Sequence, residues 1–147
     1  MKKFNELFKE HRGKNILKWS FLRNVKAKVP RIDILIDDGS HRAKDQKITF
    51  EEMYYHVRKP GVYLIEDIEL NYWLDKDKNN PDNFMVYMKN KIDELNVRRT
   101  MNRKISESYP FKDNEVRFNN STNSISFYEN MIVLDKQEMP KAKEIKA

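Results

Sequence analysis

Cysteine is absent from this 147-residue chain. That removes disulfides, thiolate metal sites and cysteine nucleophiles together. Glycine is scarce, with only Gly13, Gly39 and Gly61. Three glycines so far apart cannot form a Gly-x-Gly-x-x-Gly loop or a P-loop, so no Gly-rich phosphate cradle is encoded. No apolar run approaches the ~20 residues that span a bilayer. The opening Met1-Lys2-Lys3-Phe4-Asn5-Glu6 lacks the apolar stretch of a signal peptide. These features point to a cytoplasmic chain with no membrane partner.

Charge is abundant. Lys and Arg number 29 against 23 Asp and Glu, a formal net charge of +6, and charged residues make up 35% of the chain. The bases are interleaved with acids rather than clustered. The densest groups, Arg98-Arg99 with Arg103 and the tail Lys141, Lys143 and Lys146, read as solvated faces. No helix-turn-helix, zinc finger or RNA-stacking signature accompanies them, which argues against nucleic acid. A 12% aromatic content and regular Ile, Leu and Val runs argue against disorder. The length suits one domain, expected over residues 1–136, followed by a polar tail over 137–147.

The first thirty residues read as helices. Phe4, Leu7, Phe8 and His11 recur at helical spacing, and Ser20 reads as the cap of a helix carrying Phe21, Leu22 and Val25. Pro30 ends it. Ile32-Asp33-Ile34-Leu35-Ile36-Asp37-Asp38 is a short β-branched run, hence a buried strand. A helix follows over 43–58, with Phe50, Met53, Tyr54 and Val57 on its apolar face. Lys59-Pro60-Gly61 signals a turn, and Val62-Tyr63-Leu64-Ile65 a second buried strand. The spacing matches a parallel crossover with both faces covered. Asn80 and Pro81 read as the cap and first residue of a long helix with the stripe Phe84, Met88, Ile92 and Leu95. A strand is expected near 116–118. The last strand region runs over 124–134, with Asn130 marking a turn or bulge.

Both early strands end in carboxylates, and ligands of open parallel sheets bind at the carboxyl ends of strands. Asp37-Asp38-Gly39-Ser40-His41 and Glu66-Asp67 should therefore meet at one sheet edge. A strand-end carboxylate can hold a hard cation such as Mg²⁺. Gly39 permits an unusual turn, and His41 can accept a proton near neutral pH. The same residues also suit a cap and turn. Successive strand residues point to opposite faces, so Glu66 and Asp67 reach one ion only where the chain leaves strand geometry. His56 reads as structural. Tyr72 and Trp73 suit either a substrate lid or a core anchor.

Taken together, Ile34-Leu35-Ile36-Asp37-Asp38-Gly39-Ser40-His41, Asp45-Gln46, Phe50, Pro60-Gly61 and Tyr63-Leu64-Ile65-Glu66-Asp67 resemble the metal-dependent class I methyltransferases that act on sugar hydroxyls. The macrolide-sugar O-methyltransferases of the mycinamicin type are the closest group, and cephalosporin-hydroxylase-like proteins share the metal carboxylates. Tyr72-Trp73 and Ser124-Ile125-Ser126-Phe127-Tyr128 also fit, so the resemblance runs over 20–136. It implies that Asp38, Glu66 and Asp67 bind Mg²⁺ and that His41 is the general base. It also implies S-adenosylmethionine as cofactor, a sugar or glycoside substrate at Tyr72 and Trp73, and a cofactor-side or structural role for Asp37.

The family carries an earlier strand with an acidic Gly-rich cofactor loop and a second strand whose acid grips the ribose. Neither is encoded in these residues, so the chain resembles the family's C-terminal half. The expected fold is α/β, a partial Rossmann-like methyltransferase fold. Its sheet is open and mostly parallel, and it lacks the N-terminal cofactor-loop strands. Without those strands the Ile32 strand would have an unpaired edge, suited to a partner chain or a second copy. Two functions follow. One is a methyltransferase or its catalytic half. The other is a non-catalytic module that binds a partner through the open edge.

Overall fold

A computed structural model describes residues 15–73, 80, 82–100 and 117–139. Helix α1 spans Asn15–Lys28, strand β1 Ile32–Asp37 and helix α2 Ala43–Met53. A 3₁₀ turn over Tyr54–His56 leads into β2, Val57–Glu66. The short helix α3, Leu70–Trp73, is followed by α4, Phe84–Thr100, and then by β3, Ser124–Tyr128, and β4, Met131–Lys136. The expected helix over 4–11, Pro81, Arg103 and the tail from 140 lie outside the described residues.

The four strands form one sheet in the order β1-β2-β4-β3. β1 and β2 are parallel, as the crossover spacing predicts. The expectation of a mostly parallel sheet gives way to a mixed one, because β2–β4 and β3–β4 are both antiparallel. The cause is local. Tyr128 pairs with Met131, so only Glu129 and Asn130 connect β3 to β4, and a two-residue turn can only make an antiparallel hairpin. Asn130 takes φ 59° there, a left-handed conformation that Asn tolerates. The turn read at Asn130 is therefore present.

Burial alternates along the central strands. Tyr63 and Ile65 on β2 and Ile132 and Leu134 on β4 are fully buried. They share a face, since Tyr63 pairs with Leu134 and Ile65 with Ile132. Helices cover that face with Phe21, Leu22, Val25, Phe50, Met53, Phe84 and Met88, much of the apolar stripes read from the sequence, whereas Ile92 is exposed and Val57 belongs to β2. Phe50 is the hub. Its ring stacks on Tyr54 at 4.7 Å and meets Tyr63, Phe84 and Tyr87 edge-on. The expectation that both faces are covered is corrected. On the other face Ile34 and Ile36 are 65% and 57% exposed, and β1 is an edge strand among the described residues.

Four local readings also change. Helix α1 begins at Asn15, so Ser20 is interior rather than a cap. Lys59-Pro60-Gly61 lies inside β2 rather than ending a helix. There the β1–β2 register slips, from Ile32↔Val57 to Ile34↔Val62. Gly61 is required at this slip. A Cβ on it would stand 2.6 Å from the Arg58 carbonyl oxygen and 2.7 Å from that of Asp33. At α4 the cap is Asn83, not Asn80. The Asn83 Oδ1 accepts from the backbone N–H groups of Met85 and Val86, the bonds an N-cap makes. Residues 117–119 form a helical turn instead of a strand. Thr122 and Ser121 hydroxyls donate to the Phe118 carbonyl, local bonds that compete with strand pairing. The structural reading of His56 holds, since its Nε2 lies 2.7 Å from the Val29 carbonyl oxygen.

Candidate metal and base site

The carboxyl ends of β1 and β2 lie side by side, with Asp37 paired to Ile65. The chain turns sharply after each. Asp38 and His41 follow β1, and Asp67 follows β2. Ligand atoms of these three side chains all lie within 4.8 Å of one another. His41 Nε2 stands 3.7 Å from Asp38 Oδ1 and 3.7 Å from Asp67 Oδ2. Of the sequence-derived set, the structure brings Asp38, His41 and Asp67 together. Glu66 lies outside that group, and its backbone carbonyl accepts from the Gln46 amide at 3.2 Å.

Backbone conformation makes the convergence possible. His41 has φ 57° and Asp67 φ 51°. The turn at Asp67 is the departure from strand geometry that the Glu66-Asp67 pair demands. Gly39 is not the left-handed residue of its loop, contrary to expectation; His41 is. A Cβ on Gly39 would come 3.1 Å from Asp37 Oδ1, a tight contact that this side chain would have to ease by a few tenths of an ångström. The Ser40 hydroxyl donates to the Asp45 carboxylate in the first turn of α2, tying the loop to the helix.

Asp37 is buried rather than exposed at the site. Burial, and then the neighbouring Asp37 carboxylate, push the Tyr63 phenol well above its usual pKa. The trio faces outward by comparison. The side chains of Asp38 and Asp67 are about half or more exposed, and that of His41 a quarter. His41 Nδ1 is nevertheless buried, with no described group bonded to it.

The two carboxylates, with an imidazole beside them, fit a divalent cation. Oxygen ligands hold Mg²⁺ at ~2.1 Å, so atoms this close can converge on one ion. Without a cation the paired acids repel each other.

Next to the trio lies a cleft of about 810 Å³. Tyr72, Trp73, Ile92, Phe127 and Tyr128 line it, and all five are large hydrophobic side chains left exposed. Trp73 is 68% exposed, which excludes the core-anchor reading for it. Sequence reasoning missed the polar scaffold beneath. Buried Asn71 donates to Gln46 Oε1 at 2.9 Å and to the Ile68 carbonyl at 3.1 Å, and Asn83 donates to the Asn71 carbonyl at 2.8 Å. This amide chain runs from α2 past the end of β2 to the start of α4. Asn71 and Asn83 carry no signal that separates them from loop asparagines, whereas Gln46 stands in the quoted Asp45-Gln46 pair.

No family model matches the chain. Among curated proteins, a 53-residue stretch is 40% identical to L-olivosyl-oleandolide 3-O-methyltransferase of Streptomyces antibioticus, covering 36% of this chain and 14% of that protein. Mycinamicin VI 2''-O-methyltransferase of Micromonospora griseorubida is also 40% identical over 53 residues, which are 13% of its length. A tetracenomycin-C 3'-O-methyltransferase of Streptomyces olivaceus is 46% identical over 48 residues, covering 33% of this chain and 12% of its own. Among solved structures, the MycE methyltransferase from the mycinamycin biosynthetic pathway, in complex with Mg, SAH and mycinamycin VI, superposes with a TM-score of 0.65 at 24% identity. The chain thus has a mixed α/β fold that follows a methyltransferase structure over 82% of its own length and spans 30% of that structure.

Proposed function

We propose that the chain carries the metal- and base-bearing half of an S-adenosylmethionine-dependent O-methyltransferase acting on a sugar hydroxyl. The observation that carries this reading is the convergence of Asp38, His41 and Asp67 within 4.8 Å. Relatives named for methyl transfer on olivosyl and rhamnosyl products support the acceptor class, a small glycoside. The solved neighbour's Mg and SAH support the choice of ion and cofactor. The cysteine-free composition fits a cytoplasmic location.

In this reading Asp38 and Asp67 hold Mg²⁺. When bound, the ion lowers the pKa of the acceptor hydroxyl and the cofactor supplies the methyl group. His41 takes the hydroxyl proton at Nε2, the ring nitrogen that faces both carboxylates. Tyr72 and Trp73 give the sugar or its aglycone an aromatic wall, and Tyr128 lines the same cleft. Asp37 supports the end of β1 from beside Tyr63 rather than touching a ligand, since it is only 8% exposed.

A second reading rests on β1. Its exposed Ile34 and Ile36 suit a partner chain or second copy that extends the sheet, with or without catalysis. The experiment is calorimetric titration of the chain with Mg²⁺ and with S-adenosylmethionine, followed by assay of His41→Ala on a glycoside. We expect His41→Ala to lose methyl transfer and keep Mg²⁺ affinity. Unchanged transfer removes the base role. A folded chain that binds Mg²⁺ but not the cofactor favours the second reading.

A further inference from the structure

Asn130 sits in the turn between β3 and β4, far along the chain from the site, yet it holds three consecutive residues of the β2 exit. Its Nδ2 donates to Asp67 Oδ1 at 2.9 Å. Its Oδ1 accepts from the Glu69 backbone N–H at 2.9 Å. Its backbone carbonyl accepts from the Ile68 N–H at 3.4 Å. We propose that Asn130 is a positioning residue that orients Asp67 for cation binding, a role that rests on the metal reading above.

Asp67 has two carboxylate oxygens with different duties. Oδ1 is taken by Asn130, and Oδ2 faces His41 Nε2 at 3.7 Å. An aspartate on a left-handed residue just past a strand end has two free side-chain torsions. The hydrogen bond that the Asn130 amide donates to Oδ1 restrains both and presents Oδ2 to the trio. A side-chain amide meets the demand. A backbone N–H can only donate and an ionised carboxylate can only accept, so the bridging side chain needs one acceptor and one donor a short distance apart. The turn also demands left-handed φ, 59° at Asn130, which Asn tolerates better than Gln or other long residues. Glycine would keep the turn and lose the bridge.

The placement also connects the cleft to the trio. Asn130 lines the cleft with Phe127 and Tyr128, the last residues of the strand it terminates. A shift of the hairpin would therefore move Asp67.

The test compares Mn²⁺ affinity of the unaltered chain and of Asn130→Gly by calorimetry, with thermal unfolding in the absence of metal as the fold control. Partners that orient a metal ligand are worth about 10–100-fold in affinity. We expect a loss of that size in Asn130→Gly, with the metal-free melting point within a few degrees of the parent. Equal affinity in both chains overturns the positioning role and leaves the metal reading intact. No Mn²⁺ binding by the unaltered chain overturns the metal reading, and this one with it. Should Asn130→Gly not fold, the Asn130 side-chain amide signals of the unaltered chain serve in NMR. Saturating Mg²⁺ should shift them through Asp67, and an unmoved pair overturns the proposal.

Discussion

His41 and Asp67 face each other at 3.7 Å, each from a left-handed backbone, with φ 57° and 51°. Asn130, bonded to Asp67, is left-handed as well. Among the described residues these are the non-glycine positions with positive φ, and all three meet at one place. Such conformations cost of order 1–3 kcal/mol each and collect at functional sites. Three here, each on a residue type that tolerates the region, mark the site independently of its charge.

Relief of that strain should be measurable. His41→Gly removes a left-handed side chain and the buried, unbonded Nδ1. We expect a gain of about 1 kcal/mol, or a melting point higher by about 2–4 °C, with methyl transfer lost. Differential scanning calorimetry reads the first and a transfer assay the second. A lower melting point would show that His41 supports the fold.

The buried amide chain should behave as one unit. Gln46→Ala leaves the Asn71 amide short of its Gln46 acceptor and the Glu66 carbonyl short of a donor. An orphaned buried polar group costs about 1–3 kcal/mol. Urea unfolding should report a loss in that range for Gln46→Ala. In combination with Asn71→Ala the loss should be smaller than the sum of the two single variants.

Gly61→Ala should destabilise through the backbone. The added methyl would meet two carbonyl oxygens, at 2.6 and 2.7 Å, and neither belongs to a movable side chain. Forcing atoms into a packed region costs about 1–3 kcal/mol. Urea unfolding measures it. A neutral result would mean that β1 and β2 can separate at their register slip without loss.

Stability should depend on pH through Lys136. Its side chain is buried, with Nζ 4.0 Å from the Tyr54 ring centre. Burial first, then Lys59 and Arg117, push its pKa down from 10.5 to about 7. Below pH 7 the amine is protonated in both the folded and unfolded chain, and the penalty of its buried charge is fully present. Between about pH 7 and 10.5 the unfolded chain alone binds the proton, so stability rises with pH in that window. Lys136→Met should flatten the rise and raise stability at pH 7. Urea midpoints at pH 6.5, 8 and 9.5 for both chains check it.

The sequence was most legible where one face decides the pattern. Phe50, Met53 and Tyr54 before β2, and Phe84 and Met88 on α4, are each spaced for a buried stripe, and all are buried. The β1 and β2 runs end in acids that do meet. Boundaries set by side-chain bonds were harder to read. Asn80 and Asn83 offer the same capping chemistry, and only the position of Asn71, which accepts from the Phe84 N–H and takes the Asn83 amide, selects Asn83. Pro60-Gly61 has the chemistry of a turn, yet pairing with β1 on both sides keeps it within a strand.

By itself the sequence determined the parallel strand–helix–strand unit, because hydrophobic period and length leave few other ways to bury those runs. It also determined that Asp38 and Asp67 end neighbouring strands, since parallel strands place like ends together. Tertiary structure alone decided which groups converge. Left-handed turns at His41 and Asp67 draw them in, while Glu66 stays outside because strand alternation still governs it. Asn130 reaches Asp67 only through the β2–β4 pairing, a contact between distant segments that no local pattern encodes.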